Sequence, residues 1–368
     1  VIGGGIVGCS TAYHLAQEGV ETCLIEARGV AYSATGRNAG FILQGTAERY
    51  NRAIEMLGRD RAQRIHAYSL ENHRLIRETI EKHSLACGYQ KRGSLQLAGS
   101  PEEEKELIES AALLQEDGFQ ANLLDSSALS STYTDAGFNI AVHLPEDGEL
   151  HPALFVQQVA NVAESQGVVI AENSPVISIE ESDTVILRTE QGAVHAEAVI
   201  VCTNARIPQL LPWFEQKVDP VRGQMLATSP APFIFERPIY ADHGYDYWRQ
   251  TEDGRIVLGG WRNLDPDGEV GHAETLQNGI QENMTSFLKR FKALENIQIT
   301  HRWSGIMGFS RDGLPILGSL PGSNNILVGT GFTGHGFGFA WLAGKGLAEM
   351  LLEGRHPFVE ELPARRFL

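Results

Sequence analysis

Apolar and polar positions follow two rhythms along this chain, one helical and one alternating, and their order predicts the fold. At the front a short apolar run ends in glycines. A helical stretch follows, and a second apolar run, Thr22–Ile25, ends in Glu26. That order reads strand, turn, helix, strand. From about Gly58 to Ser84 the residues Ile65, Tyr68, Ile76 and Ile80 recur on one helical face, with charges elsewhere. Tyr89–Leu97 alternates and reads as a strand. Ser100-Pro101-Glu102-Glu103 opens a helix, with a serine cap, proline at the first position and glutamate three residues after the cap. His151-Pro152 opens another, to about Gly167. Short strands are expected over Val168–Ala171, Val176–Ile179, Val185–Thr189 and Ala198–Cys202. The last is apolar on both faces, the mark of a buried parallel strand.

From Val218 the pattern changes. Val221–Thr228, Asp246–Arg249 and Ile256–Gly260 read as antiparallel strands, with a hairpin turn at Glu252-Asp253-Gly254. A long helix is expected over about His272–Lys292 and a strand over Ile297–Trp303. The tail then has a strand, Asn325–Val328, a glycine run, Gly329–Gly338, and a helix to about Glu353. No repeat or low-complexity segment interrupts this. The expected fold class is α/β: a discontinuous Rossmann-like domain over 1–85, 143–217 and 310–368. A substrate-binding domain of antiparallel-sheet, α+β character is inserted over 86–142 and 218–309.

Composition narrows the partners. The chain has 368 residues, enough for two domains, and a net charge of −16 that disfavours nucleic acid and anionic membranes. No apolar run reaches membrane-spanning length. Cys9, Cys23, Cys87 and Cys202 form no CxxC pair, and Cys9, Cys23 and Cys202 lie in apolar stretches. They read as small core residues in a reducing compartment, so a cytoplasmic location is expected. The chain starts in mid-strand at Val1 without a methionine, so residues are expected in front of it. No metal site is expected.

The chemistry begins at Gly3-x-Gly5-x-x-Gly8. Gly3 permits the tight turn, Gly5 lets backbone approach a pyrophosphate, and Gly8 lets the helix lie close to the strand. The helix N-terminus offers N–H groups to phosphate. Glu26 can accept from both ribose hydroxyls and would repel a 2′-phosphate, which points to NAD or FAD rather than NADP. After it comes a small-residue loop, Ser33-Ala34-Thr35-Gly36-Arg37-Asn38-Ala39-Gly40, suited to close approach of a ligand. Arg37 there would give a cationic donor to a diphosphate. Thr203-Asn204-Ala205 closes the buried strand at the carboxyl end, where such folds bind ligands.

The tail run Gly329-Thr330-Gly331-Phe332-Thr333-Gly334-His335-Gly336-Phe337-Gly338 also fits GxGxxG. A second dinucleotide site would need another strand and an acid some twenty residues on, and the chain is still helical there. The better reading is a glycine loop that brings a helix N-terminus against a flat ligand. A reduced flavin carries negative charge at its pyrimidine end and gains from a helix dipole. NAD would not need this.

These motifs occur together in one known group. VIGGGIVG with Glu26, SATGRNAG, VIVCTNA, PVRGQ, YWRQTEDGRIVLGG and DGLPILGSLP…NILVGTGFTGHGFG run in family order along the whole chain. The sequence resembles the D-amino-acid-oxidase superfamily of FAD oxidoreductases, in the glycine/sarcosine oxidase-like branch. Arg302–Gly305, Tyr247–Arg249 and the GRNAG loop look most like gamma-glutamylputrescine oxidoreductases. The resemblance implies FAD in a site of GR2 type. Gly3, Gly5, Ile6, Val7, Gly8, Glu26, Ala27 and Arg28 would hold the ADP half. Ser33, Thr35, Gly36, Arg37, Asn38, Ala39 and Gly40 would line pyrophosphate and flavin. Val176 would lie near adenine, and Thr203, Asn204 and Ala205 beside the cofactor. Gly305, Gly331, Phe332, Thr333, Gly334, His335 and Gly336 would surround the redox ring.

The match also departs from the family. A carboxylate-binding arginine of glycine oxidases falls at Met307, and a lysine of sarcosine oxidases at Gly338. A flavin-linking cysteine falls near Gly305, where this chain has none. An oxygen-activating lysine falls within Trp261–Leu264, whose only basic residue is Arg262.

The implied reaction is oxidation of a C–N bond in an amine or amino acid, with hydride passing to FAD and the imine then hydrolysed. O2 or another acceptor would reoxidise the cofactor. The alternative is a 2-hydroxy acid or polyol dehydrogenase feeding a quinone or carrier protein. Candidate catalytic residues are His335, Arg249 and Arg262. Tyr247 and Arg249 share a strand face opposite Trp248 and are expected to form a substrate wall, with Arg249 pairing a carboxylate. The competing reading is a surface arginine beside a core tryptophan. Trp303 and Met307 read either as an apolar substrate pocket or as plain core. His335 either bonds flavin or substrate, or is satisfied by backbone.

Overall fold

The computed structural model describes Val1–Leu368, and its two halves are built on two different sheets. In the nucleotide half, Val169–Ala171 pairs in parallel with Cys23–Ile25, and Val199–Val201 pairs in parallel with Ile326–Thr330. Ile316–Ser319 flanks the latter antiparallel. Ile2 joins the two sets, bridging Ile25 on one side and Val201 on the other. The first residues are thus the central strand, and Ile2 N donates to Ile200 O at 2.9 Å. Val199–Val201 is buried throughout, as its doubly apolar run predicts.

Both faces of that sheet are covered. Leu24, Ile200 and Leu327 pack with Ile6, Val7 and Leu347 of the first and last long helices. Ile2, Ile25, Val199 and Val201 pack on the other face with Val185 and Leu187. Those two belong to an antiparallel trio, Val176–Glu181, Val185–Thr189 and Gly192–Ala196. Helix Ile6–Gln17 lies against helix Ala340–Glu353. They meet at small residues: a Cβ on Gly344 would stand 2.4 Å from Ser10 Cβ. Ser10 Oγ donates to Trp341 O at 2.6 Å.

The second half is an eight-stranded sheet. Its order is Ile299–Ser310, Val218–Pro230, Arg255–Gly260, Asp246–Gln250, Ile239–Ala241, Ser94–Leu97, Ala141–Leu144, Asn122–Leu124. Trp248, Phe235, Phe287 and Phe291 form its core under helix Asn278–Leu288. The boundary expected at 142/143 falls inside Ala141–Leu144, and that at 309/310 falls inside Ile299–Ser310. No helix is long and apolar enough to cross a membrane.

Several expected elements change length; the strand read over Val221–Thr228 runs from Val218 to Pro230, and three others change for a local reason. The strand read as Ile297–Trp303 runs on to Ser310. Gly305 and Gly308 disguise it, but they are the points where it crosses the nucleotide half: a Cβ on Gly308 would lie 2.5 Å from Asn204 Oδ1. The helix read over His272–Lys292 is only Asn278–Leu288. The residues before it form a strap, because Glu269 is drawn into a buried ion pair with Arg222 at 3.0 Å and Glu274 pairs with Arg37 at 2.9 Å. The strand read from Tyr89 begins at Ser94, since Gly93 turns there with φ +72°. Helix Arg59–His83 and the cap at Ser100 stand where expected. Ser100 Oγ accepts Glu103 N at 3.2 Å, and Glu103 Oε2 accepts Gly99 N at 2.7 Å. Cys9, Cys87 and Cys202 are buried and Cys23 half-buried, all unbridged.

Candidate active site

Where the two sheets face each other lies one cavity of about 770 Å³, within the roughly 300–1,000 Å³ usual for cofactor and ligand sites. Its walls come from the head, the tail and the eight-stranded roof. At the head, Gly3 has φ +106°, and a Cβ there would lie 2.6 Å from Cys202 O. A Cβ on Gly8 would lie 1.8 Å from Gly3 O, so Gly8 sets how closely the helix approaches its strand. Gly5 caps the helix with no side chain. Ile6 N donates to Thr35 Oγ1 at 3.1 Å, tying the helix start to the Ser33–Gly40 loop. That loop contains a helical turn, Ala34–Arg37.

Glu26 lines the cavity beside the glycine turn. Its Oε2 accepts Gly4 N at 2.6 Å and its Oε1 accepts Arg28 N at 2.9 Å. Each oxygen keeps lone-pair capacity for a hydroxyl donor. Ile6, Val7, Ala27, Arg28, Ser33, Asn38, Ala39 and Val176 also line the cavity. Thr203 lines it too, and its buried Oγ1 has no partner.

The tail loop closes the far end. Gly331, Thr333 and Gly334 have φ of +69°, +50° and +75°. These left-handed residues fold the loop back before helix Ala340–Glu353 begins. Phe332, Thr333, Gly334, His335 and Gly336 line the cavity. Asn204, itself on the wall, accepts Gly331 N at 3.1 Å, so the end of Val199–Val201 clamps the tail loop. His335 Nε2 lies 3.1 Å from Leu43 O. A carbonyl only accepts, so Nε2 carries the proton and Nδ1 keeps the lone pair. Burial pushes the pKa of His335 down to about 4, so the ring is neutral.

The roof contributes Tyr240, Tyr247, Met307 and Arg262. The Tyr240 and Tyr247 rings lie 5.6 Å apart. Burial raises the Tyr247 phenol, and the Arg262 charge draws it back. Arg262 follows a sharp corner. Gly260 has φ +130° with no room for a Cβ, and Trp261 has φ +58°. The Arg262 guanidinium rests 4.4 Å from the Tyr245 ring centre and 5.2 Å from that of Phe309.

Several expected wall residues lie elsewhere. Arg249 is 8% exposed and faces Glu149, 3.5 Å away, in a buried ion pair. Tyr247 shares its strand face and reaches the cavity, but two residues further along the strand that face meets Glu149 instead. Arg249 therefore faces Glu149 and does not line the cavity. Arg37 pairs with Glu274 and donates to Ser304 O, each at 2.9 Å, behind the wall. Trp303 donates from Nε1 to Arg37 O at 2.9 Å and packs against Phe41, Leu43 and Met225. Gly36, Gly40 and Gly305 do not line the cavity. They allow close approach: a Cβ would lie 2.2 Å from Ala31 O, 2.1 Å from Leu150 O and 3.1 Å from Arg37 Cβ respectively. Ala205 and Gly331 stand behind the lining.

The sequence reading missed a buried polar stripe on helix Arg59–His83. His66, Ser69, Asn72 and His73 are all buried. Ser69 Oγ accepts Gly45 N at 2.7 Å. Asn72 donates to Phe337 O at 2.8 Å and accepts Leu342 N at 3.0 Å. The signal was the spacing of 66, 69 and 73, a second face at helical period beside the apolar one.

A pyrophosphate-bearing molecule with a flat ring fits this outline. Gly3 and Gly5 put bare backbone at the cavity wall, the start of helix Ile6–Gln17 adjoins them with no side chain on its Gly5 cap, and the cavity continues to the tail loop. The comparisons agree. Gamma-glutamylputrescine oxidoreductase of Escherichia coli (strain K12) is 29% identical over 95% of this chain and 82% of its own length. Glycine oxidase of Bacillus licheniformis is 28% identical over 96% of this chain and 92% of its own. The crystal structure of glycine oxidase from Geobacillus kaustophilus superposes with a TM-score of 0.82 at 21% identity, over 96% of this chain and 94% of that one. The family described as FAD dependent oxidoreductase (DAO) matches residues 1–350, and the chain belongs to it, as a FAD-dependent enzyme acting on amines or amino acids.

Proposed function

We propose that the enzyme takes a hydride from the carbon beside a substrate amine nitrogen and releases an imine that water hydrolyses. O2 or another acceptor would complete the cycle. The observation that carries this reading is one cavity running from the Gly3–Gly5 cradle to the tail glycine loop and passing under Tyr247 and Met307. Bound FAD supplies the two-electron acceptor there. Gly3, Gly5 and the start of helix Ile6–Gln17 would take its pyrophosphate, Glu26 its ribose and Val176 its adenine end. Thr333, Gly334, His335 and Gly336 would take its ring.

The nitrogen lone pair drives hydride departure, so the amine reacts neutral and its N–H proton passes to water. Tyr240, Tyr247, Met307 and Phe41 exclude water from the reacting carbon. Neutral His335 serves as an acceptor at Nδ1, not as a base. Arg262 has no carboxylate partner and draws an anionic substituent of the substrate over the Tyr245 face. This replaces the family arginine that Met307 supplants. The four unbridged cysteines support a reducing, cytoplasmic location.

The test is extraction and identification of the flavin, then anaerobic mixing with amines, amino acids and 2-hydroxy acids. Bleaching by amines or amino acids is expected. A flavin bleached only by hydroxy acids would sink the C–N reading. Peroxide yield in air then identifies the acceptor.

A further inference from the structure

The arginines Arg28, Arg49, Arg206 and Arg262 line the cavity, and all but one are engaged. Arg49 pairs with Glu103 and Glu106. Arg28 lies 3.4 Å from Glu274 and over the Tyr32 ring at 4.8 Å. Arg262 rests on the Tyr245 and Phe309 rings in the roof. Arg206 is half-buried, has no carboxylate within ion-pair reach and donates from its side chain to no acceptor in the fold.

The head glycines fix where Arg206 stands. A Cβ on Gly3 would lie 2.6 Å from Cys202 O and 3.5 Å from Thr203 N. The chain leaving strand Val199–Val201 therefore passes directly against the glycine turn. Asn204 then takes φ +45°, and Arg206 N donates to Thr203 O at 3.0 Å. This tight turn keeps Arg206 beside Thr203. Thr203 Oγ1, buried and without a partner, lies on the same wall. The strap borders the place as well: burial, and then the Arg206 charge, lowers the pKa of His272.

Charge at the glycine turn asks for a cation. A pyrophosphate brings two negative charges, and Glu26 a third. The start of helix Ile6–Gln17 offers about half a positive charge, and its Ile6 N–H is already taken by Thr35 Oγ1. Arg37, the donor expected from sequence, directs its side chain to Tyr32 O, Glu274 and Ser304 O instead. A guanidinium and a hydroxyl, both unengaged and on one wall, match phosphate oxygens, and the planar fork of an arginine can hold two of them at once.

We propose that Arg206 supplies the cation for the FAD pyrophosphate, with Thr203 Oγ1 donating to the same group. This rests on the placement of FAD given above and is independent of which substrate is oxidised.

The experiment follows, by flavin fluorescence, FAD release from the holoenzyme and rebinding to the stripped full chain. Arg206→Met should raise Kd for FAD by about tenfold to a hundredfold, and Thr203→Val by about threefold to tenfold. Arg206→Lys should recover part of the loss, since an ammonium keeps the charge but not the fork. Salt should weaken FAD binding in the parent, and this dependence should flatten in Arg206→Met. An arginine with only a structural role would lower the Tm of the stripped chain and leave the salt dependence as it was. An unchanged Kd, or a raised Kd with the parent's salt dependence, would overturn the proposal. Gly5→Ala separates that failure from a failure of the FAD placement. Its Cβ would meet only Thr35 Oγ1, at 3.1 Å, so the fold accepts it while the close approach of a phosphate is blocked. FAD binding weakened in Gly5→Ala but unmoved in Arg206→Met keeps the placement and rejects Arg206. Binding unmoved in both rejects the placement itself.

Discussion

Asn72 accepts the Leu342 N–H at 3.0 Å, and through this bond the long helix of the front half sets where the tail helix begins. The same amide donates to Phe337 O at 2.8 Å, so one side chain fastens the end of the glycine loop to the first turn of the tail helix. Asn72→Ala leaves two buried backbone groups without partners, at a cost of about 1–3 kcal/mol each. Tm should fall by about 5 °C or more, and FAD should be retained less well through gel filtration. Added FAD should restore part of the loss by mass action. A variant with parental Tm and full flavin content would show that the loop needs no such fastening.

Arg262 is tested by charge. Arg262→Met should raise the ratio of KM values, carboxylated to uncharged amine, by about tenfold to a hundredfold. That is the worth of one charge-assisted hydrogen bond, about 1.5–3 kcal/mol. Arg262→Lys should recover only part, since an ammonium cannot bind a carboxylate in a fork. If the ratio is unmoved, the anion site lies elsewhere.

The parts of this fold readable from sequence were those where local chemistry decides geometry. The glycines at 3, 5 and 8, the acid at 26 and the capped helix at Ser100 each act within a few residues, and each stands where its pattern put it. What stayed hidden depends on partners far along the chain. Arg249 and Tyr247 share a strand face, but only the fold brings Glu149 to one and the cavity to the other. The stretch from His272 to Gln277 reads as helix, but Arg37 claims its Glu274 and Arg222 holds Glu269 just before it. Gly308 looks like a strand breaker, yet its missing side chain is what lets Asn204 reach the tail loop.

Stability should peak near pH 6.5. Burial lowers His66 to about 3, and His14, His73 and His335 to about 4, from an ordinary 6.5. Below 6.5 the unfolded chain takes up protons that these rings refuse when folded, so stability falls with acid. Burial raises Asp147 to about 7 and Asp246 to about 8 from 3.8. Between those limits the folded state holds the extra proton, so their contribution is full below 3.8 and is lost as pH rises through 7 and 8. From 4 to 6.5 the four histidines outweigh the two aspartates; above 6.5 the histidines contribute in full and the aspartates pull stability down. Urea unfolding across pH 5 to 8 should trace this maximum. In Asp147→Asn the difference from the parent should move in the variant's favour up to about pH 7, by at most about 1.4 kcal/mol per pH unit. A pH-independent difference would remove Asp147 from this account.

Arg249 gives a prediction opposite to the one its strand position suggests. Its guanidinium and the Glu149 carboxylate are both nearly buried, 10% and 6% exposed, and 3.5 Å apart. Burial lowers the pKa of Arg249 and raises that of Glu149, while each partner's charge opposes the shift. Arg249→Met therefore strands a buried carboxylate and should cost about 3–5 kcal/mol. The double change Arg249→Met with Glu149→Leu should return most of that, because the desolvation of both charges disappears together. Throughout, KM for carboxylated amines in the folded, FAD-loaded fraction should follow Arg262 and not Arg249. A large rise in that KM with little loss of Tm in Arg249→Met would make Arg249 a substrate ligand after all.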